Sequence, residues 1–140
     1  MIKGTGRQGK IELSIGDQRF AVINDRSFEF EIGGVAYRVK RTGVFAAKYR
    51  LFHDQELVIV AEQVPLLSRF KIGYAGKQWL LKADGLSAKR YDLFRETERV
   101  GRIAPARWNL YKDITIDLPD ELSRPAQVFL LWLIVRHWPD

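Results

Sequence analysis

Apolar and polar residues alternate along most of this chain: Ile11, Leu13 and Ile15; Phe28, Phe30 and Ile32; Val35, Tyr37 and Val39; Ile114, Ile116 and Leu118. A period of two sends successive side chains to opposite faces, so each run predicts a strand with one buried face. Turn-forming residues interrupt the runs at Gly16-Asp17, Asn24-Asp25, Gly33-Gly34, Gly43, Asp54, Pro65, Ala75-Gly76, Asp84-Gly85, Glu96-Thr97 and Pro105. Their spacing of roughly eight to twelve residues is that of a sandwich or barrel, and it predicts about eleven to twelve short strands within residues 10–118.

A shift of 21 positions aligns Phe28, Tyr49, Phe70 and Tyr91, then Phe30, Leu51, Ile72, Leu93 and Ile114, then the turn residues Gly33, Asp54, Ala75 and Glu96. Each unit is one strand, one turn and one returning strand. Blades of a propeller need four strands each, so a chain of this length would supply too few of them. The repeat predicts a meander of hairpins.

From Pro119 the pattern changes. Asp120, Glu121 and Pro125 lead into residues 128–135, all apolar, and then Arg136, His137 and Trp138. Acids in front, a proline in the first turn and a cation at the end suit a helix and its dipole, so a helix is expected over 120–138. An apolar run of eight covers every side of a helix and leaves no face for water. The uncharged stretch 125–135 makes on the order of 16 Å of helix, against a hydrocarbon core of about 30 Å, and cannot span it. Protein must surround it. The expected fold is therefore mainly β: one domain over residues 1–140, an antiparallel meander β-barrel enclosing its own hydrophobic C-terminal helix. A sandwich with the helix on one face is the alternative.

Charge changes the picture of the outer wall. The chain carries a net +6, with no acid in 32–53 against five basic residues, and none in 63–83 against four. Such a balance favours polyanionic partners. With Tyr37, Val39, Tyr49 and Leu51 facing inward, Arg38, Lys40, Lys48 and Arg50 face outward, and Arg69 and Lys71 join them as a candidate anion or headgroup site. The alternative is an ordinary solvated face. In a meander alternate turns share one end, which gathers Val44, Phe45, Leu66, Leu67, Leu86 and Trp108 into an apolar rim. Such a rim either touches a membrane or partner or folds over to plug the barrel.

These patterns resemble the tubby C-terminal-like superfamily, which includes the LURP-one-related proteins and small bacterial relatives. The resemblance runs over residues 28–138: the hairpin unit Lys48-Tyr49-Arg50-Leu51-Phe52-His53-Asp54, the hairpin from Tyr91-Asp92-Leu93-Phe94 to Val100-Gly101-Arg102-Ile103, and the acidic step into an apolar terminal helix. It implies a barrel of about a dozen strands around a buried helix, and, for some members, phospholipid binding at a basic patch on the wall. The chain lacks the cysteine cluster and acidic calcium loop of the related scramblases, which argues against that activity.

Other chemistry is sparse. Gly4-Thr5-Gly6-Arg7-Gln8-Gly9 matches a dinucleotide-binding pattern, but only three residues precede it and 10–15 reads as a strand. Residues 1–9 are expected to form a flexible arm. There is no cysteine, and His53 and His137 stand apart, so no metal or other cofactor is expected. No serine sits in a nucleophile elbow, and no signal-peptide pattern opens the chain. The expectation is a cytoplasmic, non-catalytic binding module for acidic phospholipid headgroups or an acidic protein, peripheral at a membrane in the first case. Single-stranded nucleic-acid binding is the second reading, disfavoured by inward aromatics; an enzyme built from distant residues is the third.

Overall fold

The computed structural model describes residues 2–7, 10–24, 26–84, 87–105 and 113–137. The alternating runs become twelve strands: β1 (Ile2–Arg7), β2 (Lys10–Ile15), β3 (Gln18–Asn24), β4 (Glu29–Ile32), β5 (Val35–Thr42), β6 (Lys48–His53), β7 (Glu56–Gln63), β8 (Arg69–Tyr74), β9 (Lys77–Asp84), β10 (Ser87–Arg95), β11 (Glu98–Pro105) and β12 (Asp113–Asp117). Each pairs antiparallel with its neighbours in the chain, and β12 returns to β1, with Ile2 opposite Ile116. The sheet closes on itself, which pairs the two edges a sandwich would leave open.

The 21-residue repeat appears as geometry. Phe30, Leu51, Ile72, Leu93 and Ile114 all point into the barrel and are buried, as are Tyr49, Phe70 and Tyr91, with Phe28 packed at their margin. Gly33, Asp54, Ala75 and Glu96 each open a two-residue turn in the left-handed region, with φ of 56°, 55°, 51° and 56°. The units alternate in detail. Hairpins β4–β5 and β8–β9 have positive φ at both turn residues, the type I′ arrangement that matches strand twist. Hairpins β2–β3, β6–β7 and β10–β11 have it at the first only and carry a bulge, at Leu13/Ser14, Leu51/Phe52 and Leu93/Phe94.

The first residues depart from expectation. Residues 2–7 are not an arm but strand β1, paired with β12 on one side and β2 on the other. Ile2 and Gly4 face the interior and are buried, while Lys3 and Thr5 are exposed. A β-carbon added at Gly4 would stand 3.1 Å from Ile11 Cγ2 and 3.2 Å from Leu13 Cδ2. The glycine answers to crowding in the barrel, where a strand carrying a side chain at that position would press on its neighbours.

The terminal segment fills the barrel as α1 (Arg124–His137). It begins later than expected: Asp120 and Glu121 lie in the turn before it, and Ser123 caps it, its Oγ accepting from Ala126 N at 3.4 Å. Ser123 N in turn donates to Tyr74 Oη at 3.0 Å, fixing the helix entrance to the barrel wall. Val128, Phe129, Leu130, Leu131, Trp132, Leu133 and Ile134 are buried on every side. A segment in an apolar lumen must satisfy its own backbone groups, and a helix does so without borrowing from a sheet that has no free edge. At the far end Trp132 Nε1 donates to the Ser27 carbonyl at 2.8 Å.

Candidate anion-binding wall and apolar rim

Because Val39, Tyr49 and Leu51 turn inward, Arg38, Lys40, Lys48 and Arg50 turn outward on β5 and β6. The register sets Lys40 directly opposite Arg50, Arg38 opposite Phe52 and Thr42 opposite Lys48. Across β7, Lys71 of β8 lies opposite Glu62, and Arg69 lies opposite Lys82 of β9. The six cations singled out in the sequence therefore share one side of the barrel, joined there by Lys82.

Acids answer two of them. Glu29 reaches Arg38 at 3.0 Å and Glu62 reaches Lys48 at 3.4 Å. These pairs are exposed, and such pairs contribute about 0–1 kcal/mol each. Among the described residues no carboxylate lies within 4.0 Å of Lys40, Arg50, Arg69 or Lys71. Arg50 donates from Nη1 to Thr42 Oγ1 at 3.1 Å, and Lys40 Nζ sits 5.2 Å above the Phe52 ring. Lys82 covers Phe94 in the same way at 4.7 Å. Phe52 and Phe94 face outward, contrary to the expectation that strand aromatics turn in. They follow the inward Leu51 and Leu93, so alternation alone would have found them.

A shallow groove of about 540 Å³ runs down the outside of β7, β8 and β9, lined among others by Lys48, Val60, Glu62, Lys71, Gly73 and Gln78. Gly73 occupies an outward position where a β-carbon would meet nothing within 4 Å. Its missing side chain lowers the floor of the groove, and Lys48 and Lys71 stand at the upper edge.

The rim is exposed rather than folded inward. Val44, Phe45, Leu66 and Leu67 keep 93%, 79%, 96% and 47% of their surface in solvent. The expectation that these residues could plug the barrel is corrected: α1 already fills it, and its last turn closes the mouth. Leu86 and Trp108, expected beside them, lie outside the described residues. The loops that carry the tips, 43–47 and 64–68, are neighbours tied by Gln63 N donating to the Ala47 carbonyl at 2.9 Å.

At the mouth, His137 lies against Tyr49 and Phe70, with ring centroids 5.7 Å and 5.1 Å away. Its Nδ1 lies 2.8 Å from the Leu133 carbonyl and its Nε2 3.4 Å from Tyr49 Oη, which also accepts from Arg41 Nε at 3.2 Å. Burial pushes the imidazole below its ordinary pKa; the Leu133 bond opposes this, and Arg136 and Arg41 add to it. This cluster was missed in the sequence because its members come from β5, β6, β8 and α1.

Charge separates along the barrel axis. Asp17, Asp54 and Glu96 occupy hairpin turns at the end away from the rim. Glu121 lies there too, 2.8 Å from Arg95 and 3.6 Å from Lys77, and its hydrogen bond to Arg95 holds the carboxyl below its usual range. No group of three or more metal-ligating side chains gathers among the described residues, and no helix there is long and apolar enough to cross a membrane.

Fold and surface together define a closed twelve-strand meander barrel around a helix, with one basic side and one apolar rim. No family model, curated protein or solved structure matches the chain.

Proposed function

We propose that the protein is a non-catalytic binding module, a small relative of the tubby C-terminal-like domains, whose basic wall takes acidic phospholipid headgroups. The observation that carries this reading is the pair Lys40 and Arg50, set opposite one another across β5 and β6 with no carboxylate within 4.0 Å of either among the described residues. Like charges directly opposite on a sheet repel, and a bound phosphate removes that cost. Arg69 and Lys71 extend the same anion-attracting surface beyond β7.

Flotation with phosphatidylcholine vesicles, with and without phosphatidylserine, tests the reading. Binding should require the acidic lipid, weaken with salt, and fall at least about tenfold in the double variant Lys40→Glu and Arg50→Glu. Equal binding to both vesicle types would remove the headgroup reading. Tighter binding to unstructured RNA, with a steep salt slope and no response to lipid, would replace it with nucleic-acid binding.

A further inference from the structure

Four large apolar side chains at one end of the barrel stand exposed, and the backbone beneath them is built to hold them out. Loop 43–47 turns on Gly43, whose φ is +84° and where a β-carbon would stand 2.9 Å from the Ala46 carbonyl oxygen. Loop 64–68 closes through Val64 N to the Arg69 carbonyl at 3.0 Å and Leu67 N to the Val64 carbonyl at 3.3 Å. With Pro65 second and a positive φ third, Val64-Pro65-Leu66-Leu67 has the form of a type II turn, whose third position favours glycine or asparagine. Here that position holds Leu66, with φ of +65° and its side chain almost wholly in water. A bulky residue in the left-handed region is strained, and an exposed leucine gains nothing from the fold in return. The local rules are broken where folding has no use for the exception.

We propose that the protein docks end-on against an acidic membrane, with Val44, Phe45, Leu66 and Leu67 entering the bilayer interface as two rigid wedges. The cationic half of this arrangement rests on the headgroup reading above; the apolar half rests on the loops alone. Lys48 and Arg69 border the two loops, and Lys40, Arg50 and Lys71 stand within about 10 Å of them along the strands, close enough for lysine and arginine stems to reach phosphates beside the inserted tips. Charge selects the occupant. A second copy meeting rim to rim would bring two basic collars together, whereas an acidic bilayer offers anionic headgroups around an apolar interior. Separate protruding tips also suit a fluid medium that closes around them better than the flat, packed core of a protein interface.

The chain has no cysteine, so Leu66→Cys and Asp17→Cys each give a single labelling site, one at the rim and one at the opposite end. Each is labelled with an environment-sensitive fluorophore and mixed with phosphatidylcholine vesicles containing roughly one-third phosphatidylserine, the acidic surface the collar is read to attract. The label at 66 should shift to the blue and lose access to iodide, and the label at 17 should do neither. In the unlabelled chain Leu66→Gly should lower vesicle partition about tenfold, the weight of one apolar side chain returned to water, without lowering the thermal midpoint, since glycine relieves the strained φ. A label at 66 that stays in water on bound vesicles, or partition unchanged in Leu66→Gly, overturns the insertion and leaves the headgroup reading standing. Burial of the label on neutral and acidic vesicles alike supports insertion and sinks the headgroup reading. No binding to either vesicle, or a rim-to-rim dimer by sedimentation that masks the label, overturns the proposal.

Discussion

Replacing Trp132 by alanine should come close to unfolding the domain. The indole is fully buried inside the barrel, edge-on to Phe28 at 5.5 Å and Tyr49 at 5.9 Å and stacked on Phe129 at 6.2 Å. It is also the donor that joins the end of α1 to the loop before β4, through the Ser27 carbonyl. Truncating a large buried aromatic costs about 3–5 kcal/mol, and an orphaned carbonyl adds about 1 kcal/mol. The sum of about 4–6 kcal/mol is a large part of the roughly 5–15 kcal/mol that holds a domain together. At about 3 °C per kcal/mol for a chain of this size, the thermal midpoint should fall on the order of 12–18 °C. Thermal melting followed by circular dichroism measures it without relying on the lost fluorophore. Trp132→Phe keeps the ring but not the donor and should cost about 1–2 kcal/mol, a measurable step should the alanine variant fail to fold. A loss below about 1 kcal/mol in the alanine variant would refute the claim that the helix is the filling of the barrel.

Two further substitutions probe the ends of the molecule. Gly4→Val should destabilise by about 1–3 kcal/mol through contact with Ile11 and Leu13, read by urea midpoint; no change would mean that β1 is not part of the closed wall. His137 binds its proton less readily in the folded chain than in the unfolded one, chiefly through burial. The unfolded chain therefore takes up more protons as pH falls below about 6.5, so the stability is whole above that value and declines as pH drops through the depressed pKa. His137→Phe, which keeps a ring against Tyr49 and Phe70 and removes the group that feels the charges of Arg41 and Arg136, should flatten the dependence of thermal midpoint on pH between about 7 and 5. An identical slope in both chains would place the titration elsewhere.

The hairpins and the helix were legible because burial imposes a period, and the period survives in Phe30, Leu51, Ile72, Leu93 and Ile114 without knowledge of any partner. β1 was not, because its inward positions include Gly4 and Gly6, and a glycine chosen for lack of space looks in sequence like one chosen for freedom. The helix start was misread because Asp120 and Glu121 resemble a first turn, whereas the cap is Ser123. In the basic wall, alternation gave the outward cations. Which of them are neutralised depends on cross-strand register, since Glu62 reaches Lys48 only through the pairing of β7 with β6. The strain at Leu66 has no sequence signal beyond Pro65 before it.

Closure through β1 and β12 bears on how the molecule is born. Among the elements of the barrel, a ribosome delivers β1 before the other strands, its closing partner β12 after them, and the plug that the tube needs only after both. Until α1 is available, a nascent chain can make neighbouring hairpins but has nothing to wrap them around. The apolar inward faces of those hairpins stay uncovered until the helix follows, so a chain that stops short of it should be the aggregation-prone form.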